Sequence, residues 1–244
     1  MLSAFTPAAR LQTAYRRRFL ENRADNLFMG SFTDLIAARA YMPQSTVAMG
    51  GATAVSRKSS STRNAKQGNL QIRCNDYPAL FWIGRSVAEG MRNVVDLGGY
   101  IGATHEAFER LLGSPRNVNW KRCDLTGGDA GPDASDCDLL YLAGSLPYLP
   151  MRLGEVLALL PIKPKRIVLN DTAVHPERTI YTLNSSRFGV RPCRIQHHDE
   201  LLAELTDAGY RRRDHWRNEG PTIEVPFVEG GAQPYYAGGC FDRD

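Results

Sequence analysis

The stretch VVDLGGYIGATHEAF, residues 94–108, constrains the fold more than any other. An apolar strand carries Asp96 near its end, Gly98, Gly99 and Gly102 follow, and a helical pattern begins near Thr104. Glycine accepts positive φ and lets a backbone approach a ligand closely. A helix N-terminus presents unpaired N–H groups. A strand, a glycine loop and a helix in that order belong to an α/β chain with a ligand loop at its first strand–helix junction. The order of the glycines narrows the ligand. A dinucleotide loop reads G-x-G-x-x-G and a phosphate loop ends in GK[ST]; here the order is G-G-x-x-G and no GK[ST] follows. Asp96 in front of the loop repels a pyrophosphate and suits an ammonium or hydroxyl groups.

The remainder of the chain keeps the alternation. Strand-like runs at 93–97, 118–123, 138–143 and 166–169 alternate with helical patterns at 104–112, 152–160 and 199–208, the last closed by Gly209. Continuous apolar runs such as VVDL and RIVL predict parallel strands covered on both faces. Three further strands are expected at 210–216, 222–228 and 235–241, the last two joined as a hairpin through EGGAQ. Before residue 91 the pattern is helical, at 8–24, 34–41 and 77–89, around a stretch at 45–69 centred on SRKSSSTRNAK that has no hydrophobic period and reads as a flexible basic loop. The expected division is a helical N-terminal segment, 1–90, and an α/β core, 91–244.

Composition excludes several classes. Hydrophobic residues are 43% of the 244 and charged residues 23%, a globular balance. The longest apolar run is strand-length, so no membrane span is expected. The N-terminal arginines follow the few apolar residues, the reverse of a secretory signal, and a cytoplasmic location is the expectation. Five scattered cysteines without a CxxC, and histidines without ligand spacing, predict neither disulfides nor a metal site. A net charge of +4 without an aromatic and basic recognition motif gives no reason to expect nucleic acid.

On these residues the chain resembles the class I S-adenosyl-L-methionine (SAM)-dependent methyltransferases. D-L-G-G-Y-I-G is similar to their motif I, D/E-x-G-x-G-x-G, with Tyr100 in place of the middle glycine. The next strand ends in Asp124, at the position of the family's ribose-binding acid, and DLLYLAGSLPYL resembles motif IV. A narrower, little-characterised group of methyltransferases found in polysaccharide and secondary-metabolite gene clusters shares more. Its elements are YP-x-x-FW (77–82), GSL-x-YL (144–149), N-x-x-x-x-H (170–175), TLN (182–184), GY followed by W (209–216) and YAG-x-x-F (236–241). The resemblance implies an α/β fold with a Rossmann-like methyltransferase sheet, mostly parallel with an antiparallel C-terminal hairpin and a helical N-terminal extension. It implies SAM as cofactor, held by Asp96, Gly98, Gly99, Tyr100 and Gly102, by Asp124, and by Gly144 and Ser145 of motif IV. Only 13 residues separate Asp124 from Asp138, too few for the family's usual third strand, so 125–136 is expected as a loop beside the adenine, with Asp129, Asp133 and Asp136 as solvated loop acids.

Methyl transfer requires an aligned acceptor and, for a hydroxyl, a group that takes or shares its proton. His175, expected on a loop after the fourth parallel strand, and Asp171 on the same strand end are the candidates for that role. His175 packed against the surface and Asp171 in a local pair are the alternatives. Tyr148, Asn184 and Arg187 are candidates for binding the acceptor, with Arg191 beside them. His105 is a further candidate against a plain helix start. His197 and His198 read as a helix entrance capped by Asp199, and His215 as an exposed strand residue. Ser145 lies in AGSLP rather than in a nucleophile elbow, which excludes a serine hydrolase. The expected activity is O-methylation of a small-molecule or sugar hydroxyl. N-methylation of a small metabolite and a non-catalytic methyltransferase-fold binding subunit are the alternatives, and an NAD-dependent reductase is disfavoured by the glycine order.

Overall fold

A computed structural model describes residues 7–22, 26–42, 72–98, 103–113, 117–123, 136–186, 189–220, 222–228 and 231–244. Gly99, Tyr100, Gly102, Asp124, Arg187 and the basic stretch 45–69 lie outside the described residues, as does most of the 125–136 segment. Among the described residues the chain runs α1 (Pro7–Glu21), β1 (Leu27–Phe32), α2 (Leu35–Ala40), α3 (Tyr77–Ala88), β2 (Asn93–Leu97), α4 (Ala103–Leu112), β3 (Asn119–Cys123), β4 (Leu139–Ala143), α5 (Leu153–Leu159), β5 (Arg166–His175), β6 (Ile180–Ser186), β7 (Gly189–His197), α6 (His198–Asp207), β8 (Tyr210–Arg217) and β9 (Tyr235–Arg243).

The core sheet has the order β3-β2-β4-β5-β9-β8. The first four strands are parallel, β9 is antiparallel to β5, and β8 is antiparallel to β9. The expected parallel α/β sheet with an antiparallel C-terminal pair is therefore present. Its strands read as unbroken apolar runs because both faces are covered. Val95, Leu140, Ile167 and Phe241 pack under α5 and α6, while their neighbours Val94, Leu139, Val168 and Cys240 pack under α3 and α4. Ile83 of α3 and Leu157 of α5 are fully buried, and truncating either to alanine costs about 2–5 kcal/mol. At the far end of the sheet, buried Arg166 forks onto Asp242 and also meets Glu89 at 2.9 Å, tying β5 to β9 and α3.

Three strands that the pattern does not announce extend the sheet beyond β5. β6 and β7 form an antiparallel hairpin, β1 adds to β6, and β7 joins the end of β5 through Val174↔Gln196 and His175↔His197. The N-terminal segment is thus not wholly helical. α1 holds this cap sheet through buried Phe19, through Tyr15 Oη donating to the Phe28 carbonyl at 2.7 Å, and through Asn22, whose amide donates to the Ser185 carbonyl. Asp34 caps α2 by accepting the Ala37 N–H at 2.7 Å.

Two expectations are corrected. The strand expected at 166–169 continues for six more residues, because Asn170, Asp171 and Thr172 pass through a bulge between Leu169 and Thr172 instead of ending it. The strand expected at 222–228 does not form: Pro226 and a left-handed Phe227 (φ 63°) turn the chain, and β9 pairs with β8 rather than with this segment.

Candidate functional site

The carboxyl ends of β2, β4 and β5 are stitched into one edge. Gly98 N–H donates to the Cys123 carbonyl at 2.7 Å, Ser145 Oγ donates to the Leu97 carbonyl at 2.6 Å, and Gly144 N–H donates to the Asn170 carbonyl at 2.8 Å. Both glycines are left-handed, at φ 70° and 63°. A Cβ on Gly98 would stand 2.6 Å from Ser145 Cβ, so only glycine lets these two loops touch. Open α/β sheets take their ligands at this edge.

Asp96 lies under that edge. It is 2% exposed, and its Oδ1 makes no hydrogen bond. Burial pushes its carboxyl up to about 6, while Trp120 and Arg122 pull the other way. The nearby Trp120 indole N–H is also without a partner of proper geometry, so it does not satisfy the acid. A buried carboxylate oxygen with nothing to accept from is costly. The acid and the glycine cradle beside it fit a ligand that brings a cationic or hydroxyl donor. Of the other residues expected to hold SAM, Gly144 and Ser145 stand at the same edge, whereas Gly99, Tyr100, Gly102 and Asp124 are outside the described residues.

Asp171 sits one residue past the β4–β5 edge, in a left-handed conformation (φ 49°) uncommon outside glycine. Arg73 donates to its Oδ2 at 2.6 Å and Asn218 donates to its Oδ1. Arg73 also grips Asp76, whose hydrogen bond is the chief reason the guanidinium is held more firmly protonated than usual. Asn170, 1% exposed, extends the network: its amide donates to Asp76, and its oxygen accepts from the Trp216 indole at 3.1 Å and from Asn218. Trp216 covers Gly238 across the β8–β9 pair, where a Cβ would fall 2.2 Å from the indole, so YAG-x-x-F and the distant Trp form one contact. Trp82 completes the pattern by donating to Asp214 at 2.8 Å.

Tyr148 and Asn184 meet directly, the phenol donating to the amide oxygen at 2.9 Å. Asn184 is fully buried and passes the chain on to Asn26, which donates to Tyr236. Arg191 stacks on Tyr148 with its guanidinium carbon 4.0 Å from the ring centroid, and burial drives the phenol's pKa far up. These residues brace the hairpin against the turn at 146–148. Arg187 lies outside the described residues.

His175 is not on a loop. It ends β5, is 1% exposed, and its Nδ1 accepts the N–H groups of Glu177 and Arg178 at 3.0 and 3.2 Å. Burial, before all else, lowers its pKa. Five strand residues beyond Asn170 amount to about 16 Å, so the ring organises a turn away from the glycine edge. His105 lies 4.8 Å from Trp120 and 3.7 Å from Glu109. His197 meets the Pro176 carbonyl, and Asp199 falls inside the first turn of α6 rather than capping it. Arg73, Asp76 and Asn218 carried no motif in the sequence. Asp76, directly before YP-x-x-FW, and Asn218, two residues past Trp216, were the two within reach of a recognised element.

No family model matches the chain, and no curated protein matches it. Among solved structures it is similar to the 1,6-didemethyltoxoflavin-N1-methyltransferase of Burkholderia thailandensis with S-adenosylhomocysteine bound, at 18% identity over 83% of this chain and 91% of that one, with a TM-score of 0.46. A magnesium protoporphyrin IX methyltransferase from Synechocystis is 10% identical over 81% and 97% of the two chains, with a TM-score of 0.41. A sugar N-methyltransferase from Streptoalloteichus is 12% identical over 75% and 92%, with a TM-score of 0.38.

Proposed function

We propose that the chain is a SAM-dependent methyltransferase that methylates a hydroxyl of a small molecule or sugar. The observation that carries this reading is Asp96: a buried carboxylate with an unpaired oxygen, beside a glycine loop, at the ligand edge of a parallel sheet. Asp96 would answer the ammonium of the cofactor's methionine end, and Gly98, Gly99, Tyr100 and Gly102 would hold that end. Asp124 would take the ribose hydroxyls, and Gly144 and Ser145 would lie at the methyl end. Bound SAM supplies an electrophilic methyl on a sulfonium sulfur. The protein's own task is to align the acceptor and exclude water. Asp171 at the β5 edge holds the acceptor proton. His175 acts at a distance by fixing the turn after β5, and Tyr148, Asn184 and Arg187 frame the acceptor side.

A second reading rests on one feature. Both carboxylate oxygens of Asp171 are already engaged, by Arg73 and Asn218. An amine acceptor needs less help from a base, which favours N-methylation. Calorimetric titration of the purified protein with S-adenosylhomocysteine, with NADH as the control ligand, tests the cofactor. Micromolar binding of the first and none of the second supports the proposal, and the reverse overturns it. With an acceptor in hand, a kcat falling steeply in Asp171→Asn supports the hydroxyl reading, and an unchanged kcat supports the amine.

A further inference from the structure

At the other end of the β5 extension, α1, the end of β1 and the turn at 226–228 line an open cleft of about 950 Å³. Small-molecule sites span about 300–1,000 Å³. Four aromatic side chains wall it. Tyr15 and Phe227 meet edge to face at 5.8 Å, and Phe32 and Tyr41 tilt against each other at 5.4 Å. Two arginines, Arg16 and Arg178, join them, with the Arg16 guanidinium carbon 5.7 Å from the Tyr41 centroid. Among the described residues that line the cleft there is no aspartate or glutamate. Glu177, next to Arg178 in the chain, accepts from the Ala232 N–H, and Arg178 keeps an interaction of its own within the protein. Glu224 adds to the burial that raises Tyr15 but is not part of the wall.

The wall is also strained. Phe227 has φ 63° and is 52% exposed, so a bulky side chain is held half out of the protein in a left-handed backbone. Such a conformation costs about 1–3 kcal/mol and concentrates at ligand clamps. Gly30, across the cleft, is left-handed too, at φ 81°.

We propose that this cleft is a second small-molecule site, taking an aromatic ring that carries a phosphate or carboxylate. The ring lies among the four aromatic walls, and the anion meets the two guanidinium groups, the residue type suited to such oxygens. The site is separate from the glycine edge. Arg178 follows His175, which is itself about 16 Å along β5 from Asn170, so no reacting methyl at that edge reaches it. The assignment therefore stands independently of the methyltransferase reading.

The test is titration of the full chain with 1-naphthyl phosphate and with 1-naphthoate, using inorganic phosphate and 1-naphthalenemethanol as controls, with and without saturating S-adenosylhomocysteine. At least one aromatic anion binds, and Arg16→Gln and Arg178→Gln each weaken it about tenfold. Phosphate alone and the neutral alcohol bind far more weakly, and S-adenosylhomocysteine does not compete. Which of the two anions binds assigns the charged group. Phe227→Gly relieves the left-handed strain, keeps the thermal transition and still weakens binding. The proposal is overturned if neither anion binds the folded protein, if the neutral alcohol binds as well as the anions, if both arginine variants bind unchanged, or if S-adenosylhomocysteine displaces the probe.

Discussion

Asp96 and Asp171 stand at the same edge of the same sheet, on β2 and β5, yet their surroundings are opposite. Asp171 has a partner on each oxygen: a guanidinium at 2.6 Å and a buried amide. Asp96 is buried with an oxygen that accepts no hydrogen bond, and its carboxyl is pushed up to about 6. The fold has completed one acid and left the other incomplete. A satisfied acid maintains structure, so removing it destabilises the protein. An unsatisfied buried acid weakens the free protein and is explained by a ligand that completes it, so removing it stabilises the fold while harming binding.

The largest effect expected is at the glycine between these acids. Gly98→Ala combines a left-handed φ with a 2.6 Å approach to Ser145 Cβ, and should cost about 3–4 kcal/mol in urea unfolding. Ser145→Gly in the same chain should return the packing part and leave the backbone part; no recovery would mean that the two loops do not touch. Next, Asp96→Asn should stabilise the free protein above pH 6 by roughly 2–3 kcal/mol. The sign follows from a folded value above the unfolded one near 3.8. Below that both states are protonated and the variant gains nothing, the gain grows between the two values, and it is complete above 6. A destabilised variant at neutral pH would show that the oxygen has a partner after all.

Asp171→Ala should behave oppositely, losing about 2 kcal/mol at neutral pH by stranding Arg73 and Asn218, whereas unchanged stability would erase the contrast. The smallest effect belongs to His175. Its folded value is below the ordinary 6.5, so its contribution is complete above that pH and is lost as the pH falls toward the lowered value. The slope is at most about 1.4 kcal/mol per pH unit. His175→Asn, which retains an acceptor for the two turn amides, should lack that slope, and a variant with the wild-type slope would place the titration elsewhere.

The core was legible because its strands are continuous apolar runs, VVDL, LLYLA and RIVL, the first two ended by glycine. The cap was not, since β6 buries Thr182, Asn184 and Ser185 along with Leu183, and buried polar residues erase the period on which a strand is recognised. For the same reason β5 looked finished at Leu169: its next three residues are polar and buried, or nearly so, and the first two, Asn170 and Asp171, join a network with Arg73, Asp76 and Asn218. Asp96, Gly98 and Ser145 were legible at the site because a glycine loop has a local signature. Arg73 and Asn218 were not, because they meet on Asp171 from positions 145 residues apart and neither is part of a recognised element. His175 was misplaced by the assumption that strand five had already ended.

The most direct test of the incomplete acid is the proton count of S-adenosylhomocysteine binding. Titrations at about pH 5 and pH 7.5, in buffers of differing ionisation enthalpy, read it from the heat. If Asp96 completes itself on the ligand's ammonium, binding at the lower pH is weaker and releases close to one proton, Asp96→Asn abolishes that release, and affinity falls by about a hundredfold at the higher pH. Equal affinity at both pH values, with no proton released and Asp96→Asn binding like the parent, would contradict the account.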